Sequence, residues 1–105
     1  MSYVTDLRHI PEDPAHIQAL PEPARLMSVF ITSIVAELSR ELSLPLINTD
    51  VKCHSRNTMS RCSGCIDGWL NPAGVLVWAC DSCAENGFIS NWEGTVWDNQ
   101  VRTTH

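Results

Sequence analysis

Four cysteines in the second half of the chain have the spacing of a metal site. They form two Cys-x2-Cys pairs with 14 residues between the pairs: Cys62, Cys65, Cys80 and Cys83. Two cysteines three positions apart can reach one ion when the backbone turns tightly between them. Two such turns complete a tetrahedron, with metal–sulfur distances of about 2.3 Å for zinc. The spacing predicts one structural Zn²⁺ per chain, bound by these four thiolates.

A fifth cysteine, Cys53, immediately precedes His54. Adjacent residues point in different directions on an extended backbone, so these two side chains are poorly placed to act on each other. We interpret Cys53 as a buried free thiol and His54 as a surface residue. The alternatives are a fifth ligand, a second weak metal site, and a nucleophile with its base. For the four paired cysteines, the alternative is free thiols or disulfides.

The residues around the cysteine pairs predict a small sheet. Residues 68–70 and 75–79 are typical of two strands, and the Asn-Pro-Ala-Gly sequence at 71–74 is typical of the turn between them. Residues 88–92 predict a third strand. The expected result is a three-stranded antiparallel sheet that carries two metal-binding turns.

This combination resembles a zinc ribbon over residues 62–92, about a third of the chain. The run 87–98 also resembles the tail of a group of small, uncharacterised bacterial proteins that have the same double Cys-x2-Cys arrangement. The resemblance implies a structural zinc ion and a bacterial or phage origin. It implies no activity, because ribbons serve in transcription, translation and enzymes alike. Many ribbons have glycine directly after the second cysteine of each pair, where this chain has Ile66 and Ala84.

Helices are predicted in the N-terminal half. Asp13 followed by Pro14 is typical of a helix start, and Pro21 ends this short helix. Apolar residues at three- and four-residue steps predict a main helix over about 23–43, ended by Pro45. The residues of this apolar stripe are Met27, Phe30, Ile31, Ile34, Leu38 and Leu42.

Together these patterns predict an α+β fold in which N-terminal helices precede a small three-stranded antiparallel zinc ribbon. Residues 1–50 are expected to form the helical segment, and residues 51–105 the ribbon domain with a C-terminal tail. We expect residues 1–13 to be irregular, 46–47 to form a short strand and 48–50 to form a turn.

Two segments are candidates for contact with a partner. The main helix 23–43 is unusually apolar, which indicates that it packs on the metal domain and the first helix, or that it forms a homodimer or binds another protein. The tryptophans either form the core of a ribbon that has little else to bury or present an aromatic face. Trp92 and Trp97 are the best candidates for exposure.

The charge balance argues against nucleic acid. The chain has seven basic and twelve acidic side chains, for a net charge of −5. Tight binding to phosphates needs a surplus of lysine and arginine. The ribbon fold and a local basic patch at Lys52, Arg56 and Arg61 are in favour, and nucleic acid binding would require these residues and Arg102 to share one face.

We expect a cytoplasmic protein. The first residues lack the basic and apolar regions of a signal peptide, and the most apolar stretch, 26–38, is shorter than the roughly 20 residues of a membrane span. In a reducing compartment, cysteines favour metal over disulfides.

The favoured function is a non-enzymatic protein-interaction or regulatory module stabilised by zinc. The alternatives are a nucleic-acid-associated zinc-ribbon regulator, and rubredoxin-like electron transfer with iron in the same four-cysteine site. We do not expect an enzyme, because four thiolates close the coordination shell and no common catalytic motif occurs in the sequence.

Overall fold

The computed structural model describes residues 2–53, 62 and 64–100 of the chain. It shows an α+β fold with one five-stranded mixed sheet and two helices, so the predicted class is confirmed. The elements in chain order are β1 (Ser2–Asp6), a 3₁₀ helix (Leu7–His9), α1 (Pro14–Gln18), α2 (Glu22–Leu38), β2 (Ile47–Lys52), β3 (Cys65–Leu70), β4 (Leu76–Cys80) and β5 (Asn86–Ser90).

The sheet has the order β1-β5-β4-β3-β2. Its centre is the antiparallel unit β3-β4-β5, close to the three predicted strands. The turn at 71–74 is also confirmed, since Gly74 donates its N–H to the Asn71 carbonyl at 3.0 Å and has a φ of 81°. A free-standing three-stranded ribbon is nevertheless wrong, because β2 extends this unit on one edge and β1 extends it on the other.

Strand β1 corrects the predicted order of elements. Residues 1–13 were expected to be irregular and helices were expected to come first, but Ser2–Asp6 pairs in parallel with β5, with Val4 opposite Phe88. The partner strand lies more than 80 residues later in the chain. A five-residue strand whose pairing partner lies at that distance carries no local pattern that predicts the pairing.

Strand β2 replaces the turn predicted at 48–50. Two of its polar side chains bond across the sheet, and the Thr49 hydroxyl also accepts the Val51 N–H of its own strand at 3.1 Å. The Asn48 amide donates to Asp67 Oδ1 at 2.8 Å, and the Thr49 hydroxyl donates to the Ile66 carbonyl at 2.6 Å. The register also shifts between Asn48 and Lys52. An edge strand with such a bulge tolerates residue types that ordinarily form turns.

The helix starts follow the sequence closely. Asp13 caps α1 by accepting the Ala15 N–H at 2.9 Å, and Pro14 is the first helical residue, as predicted.

Helix α2 ends at Leu38, five residues before its predicted end. The hydroxyl of buried Ser39 accepts the Asn99 N–H at 2.7 Å, so the C-terminal segment fixes the chain where it leaves the helix.

The core lies between α2 and one face of the sheet. Trp78 is at its centre, with the Phe30 ring edge-on at 5.3 Å and the Tyr3 ring stacked at 6.0 Å. The apolar stripe of α2 therefore packs inward. The fully buried residues of this core are Leu7, Ile31, Ile34, Val35, Leu38, Ile66, Leu76, Trp78, Ile89 and Trp92.

Of the two interpretations of the tryptophans, burial holds for Trp92, although it was one of the two best candidates for exposure. This side chain is 1% exposed and donates its Nε1–H to the Gly74 carbonyl at 3.0 Å. Trp97 is half-buried and packs against the same core. No helix in the described part of the chain has both the length and the apolar character needed to cross a membrane.

Candidate metal centre

Most of the cysteines gather at one end of the sheet. Strands β2 and β4 finish at this end, and β3 and β5 begin there. Cys53 directly follows β2, Cys80 is the last residue of β4, and Cys83 lies in the connection to β5. Cys62 precedes β3 by three residues. The antiparallel order thus brings together residues that are far apart in the sequence.

Four of the sulfur atoms form a compact group. The Sγ atoms of Cys53, Cys62, Cys80 and Cys83 all lie within 4.8 Å of one another. The Cys62–Cys80 distance is 3.5 Å and the Cys53–Cys83 distance is 3.7 Å. A tetrahedral zinc ion with Zn–S bonds of about 2.3 Å needs S–S distances of about 3.8 Å. The group is therefore compatible with a four-thiolate metal site.

Three of the four predicted ligands belong to this group, and Cys53 is the fourth member. Cys65 lies outside the group, and its Sγ accepts a hydrogen bond from Lys52 Nζ at 3.4 Å. The prediction that Cys53 is buried is confirmed, with 7% of its surface exposed. Its place beside three other thiols was not the favoured interpretation of the sequence.

Strand alternation explains the different positions of Cys53 and Cys65. Cys65 pairs with Lys52, whereas the next residue, Ile66, pairs with Cys80. Successive side chains of a strand point to opposite faces, so Cys65 and Cys80 face opposite sides of the sheet. Cys53 follows Lys52 and continues the ladder, with its N–H on the Gly64 carbonyl at 2.9 Å. It therefore faces the same side as Cys80.

This alternation is the sequence signal that identifies Cys53. It can be read only when residues 47–52 are known to be a strand in register with β3. Because residues 48–50 favoured a turn, there was no reason in the sequence to place Cys53 beside Cys80. The spacing of the two Cys-x2-Cys pairs therefore favoured Cys65 as the fourth ligand.

Backbone donors support the sulfur atoms of the group. Gly64 donates its N–H to Cys62 Sγ at 3.4 Å, and Ser82 donates its N–H to Cys80 Sγ at 3.3 Å. The Gly64 backbone also lies close to the second cysteine pair, since a Cβ at this position would lie 2.6 Å from Cys80 Sγ. Glycine is thus required at position 64 by contact with Cys80, a cysteine of the second pair.

Two thiols of the group differ in their electrostatics. Burial raises the pKa of Cys80 above its ordinary value. The backbone N–H of Glu85 lowers the pKa of Cys83 by stabilising its thiolate. Metal binding requires the deprotonated form of each cysteine. The hydrogen bond at Cys83 thus favours the thiolate that binds metal. Burial disfavours the thiolate of Cys80, and a bound cation would offset that cost.

Asp81 connects the start of β3 to the turn between β4 and β5. Its Oδ1 atom accepts the Cys65 N–H at 3.1 Å and the Ser82 hydroxyl at 2.7 Å, and its own N–H donates to the Cys65 carbonyl at 3.0 Å. The Ser82 hydroxyl is the main cause of a lowered pKa for Asp81. These bonds tie the start of β3 to the turn that carries Cys80 and Cys83.

Several residues named from the sequence lie outside the described residues. They are His54, Arg56, Arg61 and Arg102. Of the proposed basic patch, the structure describes Lys52 alone, and the Cys53–His54 pair stays a hypothesis.

Comparison with known proteins adds no relative. No protein-family model, curated protein or solved structure matches this chain. The zinc-ribbon resemblance is supported as far as the cysteine group, and the resemblance to small bacterial proteins stays a hypothesis.

Proposed function

We propose that this chain is a small zinc-binding protein that acts as a non-enzymatic protein-interaction or regulatory module. Its zinc ion is structural. The observation that supports this proposal is the group of four Sγ atoms within 4.8 Å of one another at the end of the sheet. We assign the ligands as Cys53, Cys62, Cys80 and Cys83, in place of the set with Cys65 that the spacing favoured.

A structural role follows from the chemistry of the donor set. Catalytic zinc sites have three protein ligands and keep one position open for water or substrate. Four thiolates leave no such position. The ion would instead fasten the ends of β2 and β4 to the turn before β5, next to the apolar core that Cys53 and Cys80 adjoin.

Iron is the second candidate for the same site. Tetrahedral sulfur accepts iron as well as zinc, and N–H donors to sulfur tune the potential of such centres. Gly64 and Ser82 provide two such donors. This alternative would make the chain a rubredoxin-like electron carrier. A purified iron form would be coloured, whereas a zinc form is colourless.

Acidity disfavours a nucleic-acid role. The chain has twelve acidic and seven basic side chains, for a net charge of −5. Four thiolates on a divalent cation would add about two further negative charges at the end of the sheet. A nucleic-acid-associated regulator therefore remains the less favoured alternative.

Native mass spectrometry of the purified protein, with and without a chelator, tests the proposal. We expect one zinc ion per chain, lost on chelation, together with a change in the amide NMR spectrum at the cysteine end of the sheet. One iron ion per chain would favour electron transfer. A protein purified without metal whose spectrum is unchanged by added zinc would contradict a structural metal.

A further inference from the structure

One row of apolar side chains crosses the sheet on the face opposite to α2. It consists of Val4 on β1, Phe88 on β5, Val77 on β4 and Trp69 on β3, and we call these residues the outer row. The register places Val4 opposite Phe88, Phe88 opposite Val77, and Val77 opposite Trp69. Residues that are paired in this way share one face of a sheet.

The outer row points away from the core. Its strand neighbours Gly68 and Trp78 face α2, since a Cβ on Gly68 would meet Leu38 and Trp78 contacts Phe30. Because neighbouring residues alternate, the outer row lies on the other side. Val4 is 82% exposed and Phe88 is 39% exposed, whereas Val77 between its two neighbours is 9% exposed.

Acidic groups border the outer row on both sides. Asp67 lies two residues before Trp69 on β3, and Asp6 lies two residues after Val4 on β1, so both share its face. Asp6 forms an ion pair with Arg8 at 2.7 Å, and Asp67 accepts the Asn48 amide at 2.8 Å. The chain as a whole is also acidic, with twelve acidic and seven basic side chains. Lys52 shares this face, as the strand partner of Cys65 at the cysteine end.

Charge argues against a second copy of this chain as the occupant, because it would bring another net charge of −5 to a face that carries Asp6 and Asp67. The four strands span about 14 Å at a spacing of about 4.8 Å. A strip of that length and one side chain in width covers on the order of 100–200 Å², against about 800 Å² per partner in a standard interface. An area of this size suits a short segment that binds weakly.

We infer that the outer row is a docking surface for a basic amphipathic helix of a partner protein. A span of about 14 Å matches nine or ten helical residues at about 1.5 Å each. Apolar residues of the helix would cover the outer row, and flanking lysine or arginine would face Asp6 and Asp67. Such a helix would cover the open face as α2 covers the other. This inference rests on the proposed role as an interaction module and names the kind of partner.

A designed peptide tests the docking surface on the full, zinc-loaded chain. The probe is a labelled 14-residue peptide of leucine and lysine with leucine at three- and four-residue steps, and the control peptide has glutamate in place of lysine. Fluorescence anisotropy gives the affinity, and amide NMR maps the contact. We expect Val4→Lys and Phe88→Ser each to weaken binding at least about tenfold, and the glutamate peptide to bind at least about tenfold more weakly.

The matched control is the double variant Leu26→Ser and Val29→Ser, which removes exposed apolar side chains from α2. These residues are 50% and 45% exposed. The inference predicts less than a twofold change in affinity for this variant. Because Val4 is largely exposed, Val4→Lys keeps the test informative even if Phe88→Ser fails to fold.

Four results would overturn the inference: no binding by the folded, zinc-loaded protein; equal binding of both peptides; loss of binding in the α2 variant alone; or self-association that Val4→Lys abolishes, which would make a second copy the occupant. Zinc content is measured in the same samples. If the protein retains one zinc ion and does not bind the peptide, only the docking inference is contradicted. If a metal-free protein binds through the outer row, only the structural role of zinc is contradicted.

Discussion

Different interactions hold together two regions on the α2-facing side of the sheet, the apolar end that packs on α2 and the cysteine end. Towards the middle, apolar side chains of α2 pack on Trp78, Leu76 and Ile89, and each contributes part of a shared core. At the cysteine end, four thiols from three separate segments of the chain converge on one point. A core loses stability gradually as contacts are removed. A metal centre depends on all of its ligands at once.

This difference predicts how each end responds to change. Truncating one buried aliphatic residue typically costs 2–5 kcal/mol, roughly, whether or not a metal is bound. Apparent metal-binding free energies in zinc-finger peptides are on the order of 10 kcal/mol. Ligand substitutions should therefore produce the larger effect, and their effect should disappear when the metal is removed.

The largest expected effect separates Cys53→Ser from Cys65→Ser. We expect Cys53→Ser to lower zinc affinity more than about 100-fold, since changes to residues that only orient the ligands already cost 10–100-fold. Cys65→Ser should change it only a few-fold, because Cys65 Sγ lies outside the group and contacts Lys52. Competition with a chromogenic chelator measures both affinities.

The matched pair also decides between the two ligand sets. The opposite result, with Cys65→Ser losing zinc and Cys53→Ser keeping it, would restore the set Cys62, Cys65, Cys80 and Cys83. Equal losses would show that both thiols are needed, and our assignment of Cys53 in place of Cys65 would be wrong.

A smaller effect is expected from Leu38→Ala in the core. Leu38 is fully buried on α2, so its truncation should lower the free energy of unfolding by about 2–5 kcal/mol. Zinc stoichiometry should stay at one per chain. Urea unfolding with and without chelator measures the change, and Leu26→Ala at an exposed position of the same helix is the control. A loss of zinc in Leu38→Ala would show that the two ends are not independent.

The sequence predicted the elements whose signals are local. Asp13 and Pro14 define the start of α1, and the turn at 71–74 joins β3 to β4 as expected. Three cysteines of the sulfur group were also identified, because Cys62, Cys80 and Cys83 belong to motifs of fixed spacing. In each case, residues within a few positions of one another carry the information.

The features that were missed depend on distant partners. β1 is a strand because β5 lies beside it, and Asn48 belongs to a strand because Asp67 accepts its amide. Cys53 joins the sulfur group only because β2 is in register with β3. The end of α2 at Leu38 likewise depends on Asn99, which bonds Ser39. No local pattern contains these pairings.

Two glycines four residues apart sharpen the comparison between the ends. In Gly64→Ala, the new Cβ would lie 2.6 Å from Cys80 Sγ, so we expect zinc affinity to fall roughly tenfold as the ligand moves. In Gly68→Ala, the Cβ would lie 2.5 Å from Leu38 Cδ1 and 2.7 Å from the Val77 carbonyl. That crowding should cost about 1–3 kcal/mol of stability and leave zinc affinity unchanged.

Chelator competition and urea unfolding of both glycine variants give the two readouts. Each variant serves as the control for the other in zinc affinity. A Cβ on Gly64 would also lie 2.7 Å from Asp81 Oδ1 and 2.8 Å from Ser82 Cβ, so both variants are expected to lose some stability without metal. If Gly64→Ala kept the native zinc affinity, or if Gly68→Ala lost zinc as readily as Gly64→Ala, the distinction between the two ends would fail.

The smallest expected effect concerns the exposed ion pair between Asp6 and Arg8, which involves neither the cysteines nor a buried side chain. The Arg8 guanidinium holds the pKa of Asp6 well below its usual range, chiefly through side-chain hydrogen bonds. A lowered pKa in the folded state contributes stability above the ordinary aspartate pKa of about 3.8, and that contribution is lost as the pH falls towards the folded value. Asp6→Asn should therefore be slightly less stable than the native protein at pH 7, and the difference should shrink below about pH 3.8.

Asparagine is a suitable replacement for Asp6 because it can also accept the Arg8 backbone N–H that Asp6 accepts at 2.9 Å. The variant therefore removes the charge and keeps the cap of the 3₁₀ helix. Urea midpoints of both proteins are compared across the pH range, since the difference between them cancels changes at the cysteines. Arg8→Met should show the same pH dependence, and combining it with Asp6→Asn should add nothing. A difference that stays constant down to pH 2 would mean that the cap, rather than the charge, stabilises this turn.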